Sequence, residues 1–425
     1  MPVTDGGAVR MGSRACDDAP MPRRGGRNGS PPLTRLDPLG QPWPAVALPR
    51  RIAVLGSTGS IGRQTLEVAE WLGTEVTALA AGRDVDGLLE QVERFRPALV
   101  SCAPEVADRV RAGLPARTRL VPGAEGAREV ATADVDSVVA AIPGFRGLAS
   151  VRAALAAGRH VALATKEAMV CAGPLVWQEA RASGGRITPV DSEHAGLYQA
   201  LVGEAWEGVA ALVLTASGGP FREGPADLSR VTPEQALRHP TWRMGPKVTI
   251  DSATLFNKGL EVIEASLLFE IELERIEVVV HPESIVHALV RFRDGSVKAQ
   301  LGPHDMRLPI LYALAAPERP SVPLAPLPLT GTLSFFAPDV ERFGCLALAY
   351  EAGRRGGTAP LVLNAADEVA VDAFVAGRLP FDAIPDVLER TLAAVPRADL
   401  AWDVLDEIDA AARSAAAEAV EAVAS

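Results

Sequence analysis

Arg51-Ile-Ala-Val-Leu-Gly-Ser-Thr-Gly-Ser-Ile-Gly62 is an apolar run ending in glycines at 56, 59 and 62, and it passes straight into Ile61, Leu66, Ala69 and Leu72 at helical spacing. A strand that turns through glycine into a helix lets backbone N–H groups and a positive helix N-terminus approach a pyrophosphate. The spacing G-x-x-G-x-x-G departs from the usual G-x-G-x-x-G, and such a turn alone is in a minority of cases only a tight connection. The flanking pattern decides between the two. Val76-Thr-Ala-Leu-Ala80, a helical stretch from Val85 to Phe95, Ala98-Leu-Val-Ser101, Ser137-Val-Val-Ala-Ala-Ile142, a helical stretch from Gly147 to Ala157 and His160-Val-Ala-Leu-Ala164 alternate as strand and helix. That alternation specifies a parallel doubly wound sheet, a nucleotide-binding architecture.

From Arg186-Ile-Thr-Pro-Val190 the pattern shifts to strand-like runs at 211–215, 276–280, 287–292 and 296–301, the last two forming an antiparallel hairpin turning at Asp294-Gly295. Prolines 317, 320, 323, 326 and 328 mark a linker, and beyond Phe343 the chain reads as helices at 346–354, 362–376, 383–393 and 404–423. The fold class expected is α/β: an N-terminal doubly wound nucleotide-binding domain (50–185), a central α+β domain (186–315) with a lid loop (217–246), a linker (316–342) and a C-terminal helical bundle (343–425). Residues 1–49, rich in Pro, Gly and Arg, read as a disordered extension.

A chain of 425 residues with net charge −11 suits a globular protein of two or three domains. Its acidic balance repels nucleic-acid phosphate and anionic lipid, and no apolar run reaches membrane-spanning length, so neither nucleic acid nor membrane is an expected partner. Cys16, Cys102, Cys171 and Cys345 lack any Cys-x-x-Cys pairing, which fits neither a disulfide framework nor a thiolate zinc site. Arginine has so largely displaced lysine that only Lys166, Lys247, Lys258 and Lys298 remain, and a retained lysine draws attention as a compact point charge.

Three regions carry candidate chemistry. Ala80-Ala-Gly-Arg-Asp84 ends the second strand with Arg83 where an NAD site usually has an acid; a guanidinium suits a 2′-phosphate and favours NADP(H) over a merely solvated charge. Asp191 and Glu193, read as i and i+2 at a strand end, project to one side, and Glu261 offers a third carboxylate, a hard-oxygen set for Mg²⁺ or Mn²⁺. Ser217-Gly-Gly219 and Thr249 to Lys258 supply hydroxyls, an amide and an ammonium suited to a phosphate monoester. His239-Pro-Thr-Trp-Arg-Met-Gly245 between them reads as a lid, and Lys166, at another strand end, as a contact between cofactor and second domain.

With Leu55 to Gly62, Lys166-Glu167, Pro189 to His194, Ser217 to Glu223, His239 to Gly245, Asp251 to Thr254, Asn257 to Glu261, His281 to His287 and Leu363 to Glu368 in order, the chain closely resembles the 1-deoxy-D-xylulose 5-phosphate reductoisomerases. The resemblance implies a Rossmann-like NADPH-binding domain and the metal-dependent rearrangement and reduction of that phosphosugar to 2-C-methyl-D-erythritol 4-phosphate. It implies cofactor contacts from Thr58, Gly59, Ser60, Ile61, Gly82, Arg83, Asp84, Thr165, Glu167 and Gly245, and Mg²⁺ or Mn²⁺, with Co²⁺ a further candidate, on Asp191, Glu193 and Glu261. Substrate contacts fall to Lys166, Ser192, Glu193, Ser217, His239, Trp242, Ser252, Asn257, Lys258 and Glu261, of which Lys166, Glu193, His239 and Lys258 are the catalytic candidates. His287 resembles a supporting histidine, and Thr165, Ala216 and Thr241 depart from the commonest family residues. A cytoplasmic homodimer of bacterial type is implied. The competing reading is an NADP-dependent enzyme or sensor acting on another phosphosugar.

Overall fold

The computed structural model describes residues 36–44, 48–242 and 244–424. The first sheet is built by β1 (Arg51–Leu55), α1 (Ser60–Leu72), β2 (Glu75–Ala80), α2 (Val85–Phe95), β3 (Leu99–Ser101), α3 (Ala107–Gly113), β4 (Arg119–Leu120), α4 (Gly123–Ala131), β5 (Ser137–Ala140), α5 (Leu148–Ala156), β6 (His160–Leu163), α6 (Lys166–Ser183) and β7 (Arg186–Pro189). All seven strands run parallel in the order β4-β3-β2-β1-β5-β6-β7. The chain reverses its direction of travel across the sheet at β1, which opens a crevice at the strands' carboxyl ends. Residues 52–55, 137–140 and 161–163 are buried throughout, because helices cover both faces of the sheet and leave no solvated side to alternate with.

Two glycines of the first turn are required by packing. Gly56 has φ +80°, and a Cβ there would lie 2.3 Å from the Ala141 carbonyl oxygen; a Cβ on Gly62 would lie 2.3 Å from the Gly56 oxygen. Both approaches are closer than any side chain tolerates, so the turn is glycine by geometry.

The central segment adds α7 (Ser192–Leu201), β8 (Val209–Ala216), α8 (Pro233–Ala236), α9 (Pro246–Ala253), α10 (Phe256–Phe269), β9 (Ile276–Val280), β10 (Val286–Phe292), β11 (Val297–Leu301) and α11 (Arg307–Ala315). Its sheet runs β11-β10-β8-β9, antiparallel except for the β8–β9 pair, with the β10–β11 hairpin turning at Gly295 (φ +88°) as expected. The C-terminal helices are α12 (Cys345–Arg355), α13 (Ala359–Val375), α14 (Ile384–Ala394) and α15 (Leu405–Ala424), and α13 packs on α14, α15 and also α6. One buried cluster runs from Ala53 through Leu212 to Val420, so all three segments share a core.

Three boundaries differ from the sequence reading. Arg186–Pro189, assigned to the central domain, is the seventh strand of the first sheet, because its backbone pairs with β6. The apolar stretch of α11 packs on α1, and Ile310, Leu311, Ala313 and Leu314 join the nucleotide-sheet core, which offers them the nearest apolar surface. Residues 36–43, assigned to the disordered extension, form a clasp on the sheet edge, whereas residues 1–35 and 45–47 lie outside the described residues. In that clasp the Gln41 amide mimics an eighth strand: its Oε1 accepts the Ile187 N–H at 2.7 Å and its Nε2 donates to the Ile187 carbonyl at 2.7 Å. Asp37, fully buried, accepts from the Tyr198 hydroxyl at 2.9 Å and from the Gln41 backbone at 2.9 Å.

Substituting Gln41→Ala leaves both Ile187 backbone groups unpaired at a cost of about 2 kcal/mol. Amide exchange at Ile187 is expected to accelerate by roughly an order of magnitude. An unchanged rate would mean that the clasp does not protect the strand.

Candidate active site

The carboxyl ends of β1, β6 and β7 and the first turns of α7, α9 and α10 surround a cavity of about 500 Å³. Ser60 and Ile61 of the glycine turn form one rim, and Asp191, Glu193, Lys166, Lys258 and Glu261 line the floor. From the segment read in the sequence as a lid, His239, Thr241, Trp242, Met244 and Gly245 line the far side, and the Trp242 ring sits 6.2 Å from His287 and 5.5 Å, edge-on, from His304.

Asp191 and Glu193 converge for a different reason from the one the sequence suggests. The strand ends at Pro189, and Asp191 is the N-cap of α7, its Oδ1 accepting the Ser192 N–H at 2.9 Å; Glu193 stands in the first helical turn. The two carboxylates are therefore not neighbours on a pleat. Asp191 meets the Lys166 ammonium at 2.5 Å, while Glu193 meets the Lys258 ammonium at 2.7 Å. Glu261, one turn into α10, joins both: it accepts from Lys166 at 3.0 Å and also from Lys258 and Asn257. Leu255, in the left-handed region at φ +60°, sets this up by turning the chain sharply between α9 and α10, so that Asn257, Lys258 and Glu261 all line the cavity. Local strain of that kind is retained where surrounding packing over-determines it.

Electrostatics follow the packing. Burial opposes the charge on Lys166 and on Lys258, but the carboxylates around each more than offset it, so both stay ammonium with raised pKa values. Burial would likewise raise Asp191, yet Lys166 pulls it below the usual carboxylate range. For Glu261, burial and the nearby Glu193 win, and its pKa is raised. Three carboxylates facing two ammoniums leave an excess of buried negative charge, and Asp191, His194 and Glu261 each offer a donor atom within 4.8 Å of the others. Oxygen donors in negative excess fit a hard divalent cation.

His194 and Glu264 escaped the sequence reading. His194 Nε2 donates to the Glu261 carbonyl at 3.1 Å, which leaves Nδ1 as a buried lone pair 3.9 Å from Asp191; Glu264 lies 3.4 Å from Nε2. Burial lowers the His194 pKa and raises that of Glu264 well above its ordinary value. A helical reading of residues 191–194 and 258–264 would have found them, since 191/194 and 258/261/264 are spaced one turn apart.

On the opposite wall, His239 Nδ1 accepts the backbone N–H groups of Thr241 and Trp242 at 3.1 and 2.8 Å. Its Nε2 therefore carries the ring proton and faces the hydroxyls of Ser217 and Ser252 at 3.0 and 3.1 Å. Gly219 permits this approach, because a Cβ there would sit 2.8 Å from the Ser252 carbonyl oxygen. Burial lowers the pKa of His239 to about 4 and that of His287 to about 4. An imidazole depressed below its unfolded value of about 6.5 leaves the unfolded state binding more protons, so each costs stability as pH falls from about 6.5 towards 4. Imidazole ¹⁵N spectra are expected to show both rings neutral down to about pH 5 and His239 protonated at Nε2. A His239 transition near 6.5 would contradict this placement.

Not every candidate reaches the cavity. Ser60, Ile61, Lys166, Ser192, Ser217, Trp242, Gly245, Ser252, Asn257 and Lys258 line it together with the three carboxylates and His239. Thr58, Gly59, Gly82, Arg83 and Asp84 sit outside it, at the ends of β1 and β2. There Arg83 is largely exposed and pairs with Glu105, while Asp84 caps α2 and pairs with Arg63 at 2.9 Å. Thr165 is turned inward: its hydroxyl proton is shared between the Ile142 carbonyl at 2.8 Å and the Ala140 carbonyl at 3.2 Å, because the α6 cap abuts the end of β5. Glu167 is buried and accepts the Gly144 N–H at 3.1 Å.

A parallel nucleotide-type sheet whose glycine turn shares one cavity with an oxygen-rich cation cluster defines a dinucleotide-dependent oxidoreductase with a metal site. Family models agree in order along the chain: 1-deoxy-D-xylulose 5-phosphate reductoisomerase over residues 52–173, its C-terminal domain over 187–269, and DXP reductoisomerase C-terminal domain over 301–415. The 1-deoxy-D-xylulose 5-phosphate reductoisomerase of Thermus thermophilus is 57% identical over 367 residues, covering 86% of this chain and 99% of that one. That of Moorella thermoacetica is 53% identical over 351 residues, covering 81% and 91%. Among solved structures, a reductoisomerase in complex with NADPH, fosmidomycin and magnesium superposes with a TM-score of 0.83 at 38% identity, covering 88% of this chain and 98% of that one. The Zymomonas mobilis enzyme in complex with NADPH gives 0.82 at 40% identity, covering 88% and 99%. The chain belongs to the 1-deoxy-D-xylulose 5-phosphate reductoisomerase family.

Proposed function

We propose that the protein converts 1-deoxy-D-xylulose 5-phosphate to 2-C-methyl-D-erythritol 4-phosphate, using NADPH and a divalent cation, Mg²⁺ or Mn²⁺, with Co²⁺ as a third candidate. The observation that carries the reading is that Ser60 and Ile61 of the glycine turn line the same cavity as Asp191, Glu193 and Glu261. When bound, the cation supplies positive charge against the substrate's ketone and hydroxyl oxygens, and NADPH supplies reducing equivalents. Asp191, Glu193 and Glu261 would hold the cation, with His194 bracing Glu261 through its carbonyl.

The chain's own residues account for binding and orientation. Ser217, Ser252 and the Nε2–H of His239 present convergent donors, and Asn257 and Lys258 on the adjacent turn of α10 complete a phosphate site. Lys166, held between Asp191, Asn257 and Glu261, keeps an ammonium beside the reacting oxygens and can hold or deliver a proton there. Trp242, backed by His287 and His304, excludes water from the chamber. Thr58, Gly59, Gly82, Arg83 and Asp84, clustered at the ends of β1 and β2, suit the adenosine end of NADPH, and Ser60, Ile61, Glu167 and Gly245 its nicotinamide half.

In this reading the nucleotide-binding unit runs on through β7 to Pro189, the central unit follows to about residue 315, the helical unit spans 343–425, and a cytoplasmic homodimer is the assembly. No helix among the described residues is long and apolar enough to cross a membrane. The test mixes protein, NADPH, Mn²⁺ and 1-deoxy-D-xylulose 5-phosphate and follows NADPH consumption with and without chelator. Chelator-sensitive consumption is expected. NADPH binding without consumption would favour a sensor, or an enzyme of another phosphosugar.

A further inference from the structure

A second buried charge cluster lies behind the lid and is absorbed by none of the roles above. Lys247, in the first turn of α9, donates to Asp251 one turn further along the same helix at 2.6 Å and to Asp367 of α13 at 2.6 Å. Both carboxylates are buried, at 1% and 0% exposure, and the second oxygen of each lacks a donor. The Phe256 ring lies 5.5 Å from the ammonium. The other titratable groups that face the cluster are Glu167 and Lys166 of α6 and the Cys345 thiol of α12.

Each carboxyl keeps one oxygen without a donor, and burial raises both, Asp367 well above its ordinary value, which favours one proton held between the two beside a single ammonium. With that proton, Lys247 and the carboxyl pair together form a neutral unit. That unit ties α9 to α13. The N-cap of α9 is Gly245, where the lid ends, and near its other end Ser252 meets His239 at 3.1 Å. Any shift of α9 against α13 therefore moves the lid hinge and the phosphate-facing serine together.

We propose that Lys247, Asp251 and Asp367 are positioning residues, a latch between α9 and the C-terminal helix α13 that sets both the closed position of the lid and the place of Ser252. The substrate consequences rest on the functional reading above; the lid consequence does not. Lys247→Met removes the shared cation, and the KM for the phosphosugar is expected to rise at least ~10-fold while kcat stays within about 3-fold. In the unliganded protein, trypsin cleavage at the lid arginines Arg230 and Arg238 is expected to accelerate at least ~10-fold, since the hinge opens more often. Asp367→Asn provides the rescue: its amide N–H donates to Asp251 as the carboxyl proton does and its oxygen still faces Lys247, so KM and cleavage stay within about 3-fold of wild type, whereas Asp367→Ala behaves like Lys247→Met. The pH profile adds a sign. Burial raises both carboxyls, and Asp251 raises Asp367 further while the Asp367 contact lowers Asp251, so the latch is complete below the release of the shared proton and is lost as pH rises through it. KM of the wild type therefore climbs on the alkaline side, and Asp367→Asn flattens that limb.

Unchanged KM and unchanged lid cleavage in Lys247→Met would overturn the latch, as would an Asp367→Asn protein as impaired as Asp367→Ala. If the wild type turns over none of the phosphosugar, the functional reading fails, and the trypsin rates alone decide the latch.

Discussion

Glu261→Gln is expected to lower kcat by at least about 10³-fold while NADPH still binds. Glu261 is 1% exposed and takes hydrogen bonds from Lys166, Asn257 and Lys258 at once, so its carboxylate is the hub of the cluster. A glutamine has the same shape but one oxygen, and its NH₂ would turn a donor either toward an ammonium or toward the cation. The charge excess that makes the site attractive to a divalent ion disappears with it. The glycine turn at 56–62 is on the far rim and does not touch Glu261, so NADPH affinity, read by quenching of protein fluorescence, is expected to stay within about 3-fold. Near-normal turnover would remove Glu261 from the cation site. Loss of NADPH binding together with turnover would show instead that the substitution unfolds the centre.

Lys258→Met separates two roles of one ammonium. In the structure, Lys258 lies between Glu193 and Glu261, where it competes with any cation those carboxylates would hold. Deleting it leaves the metal affinity unchanged or tighter, as read by Mn²⁺ titration. On the proposed function the same ammonium also binds the substrate's phosphate, so kcat/KM for the phosphosugar is expected to fall by about 10²-fold or more, the scale of a lost charge-assisted hydrogen bond to phosphate. A variant that loses Mn²⁺ affinity and keeps its kcat/KM would reverse the assignment. Lys258→Arg is not a rescue, because a planar guanidinium cannot occupy the narrow space between two carboxylates as a compact ammonium does.

Much of the architecture was legible in linear order. The alternation from Arg51 to Ser101 and from Ser137 to Leu163, the hairpin at Asp294-Gly295 and the four C-terminal helices follow from apolar periodicity and turn residues, which act over a few positions and need no partner to be recognised. The candidate site was legible as residue types: Asp191, Glu193, Glu261, Lys166 and Lys258 do meet in one cavity. The reason offered for Asp191 and Glu193 did not hold. A period-2 argument needs an extended backbone, and the chain has already begun a helix at Ser192. Thr165 shows the same limit, since a hydroxyl at a strand end points wherever its nearest carbonyl lies, and here that is Ile142.

What local pattern settles in this chain is which segments become strand or helix and which side chains have the chemistry for a cation, a dinucleotide and a phosphate. Three-dimensional packing settles the partnerships. Gln41 pairs with Ile187 across 146 positions, Lys166 with Glu261 across 95 and Lys247 with Asp367 across 120. Nothing in the spacing of those residues encodes the contact. It arises because buried backbone and charge must find a partner wherever the shared core brings one within reach, and that requirement is met only once the whole chain has closed around it.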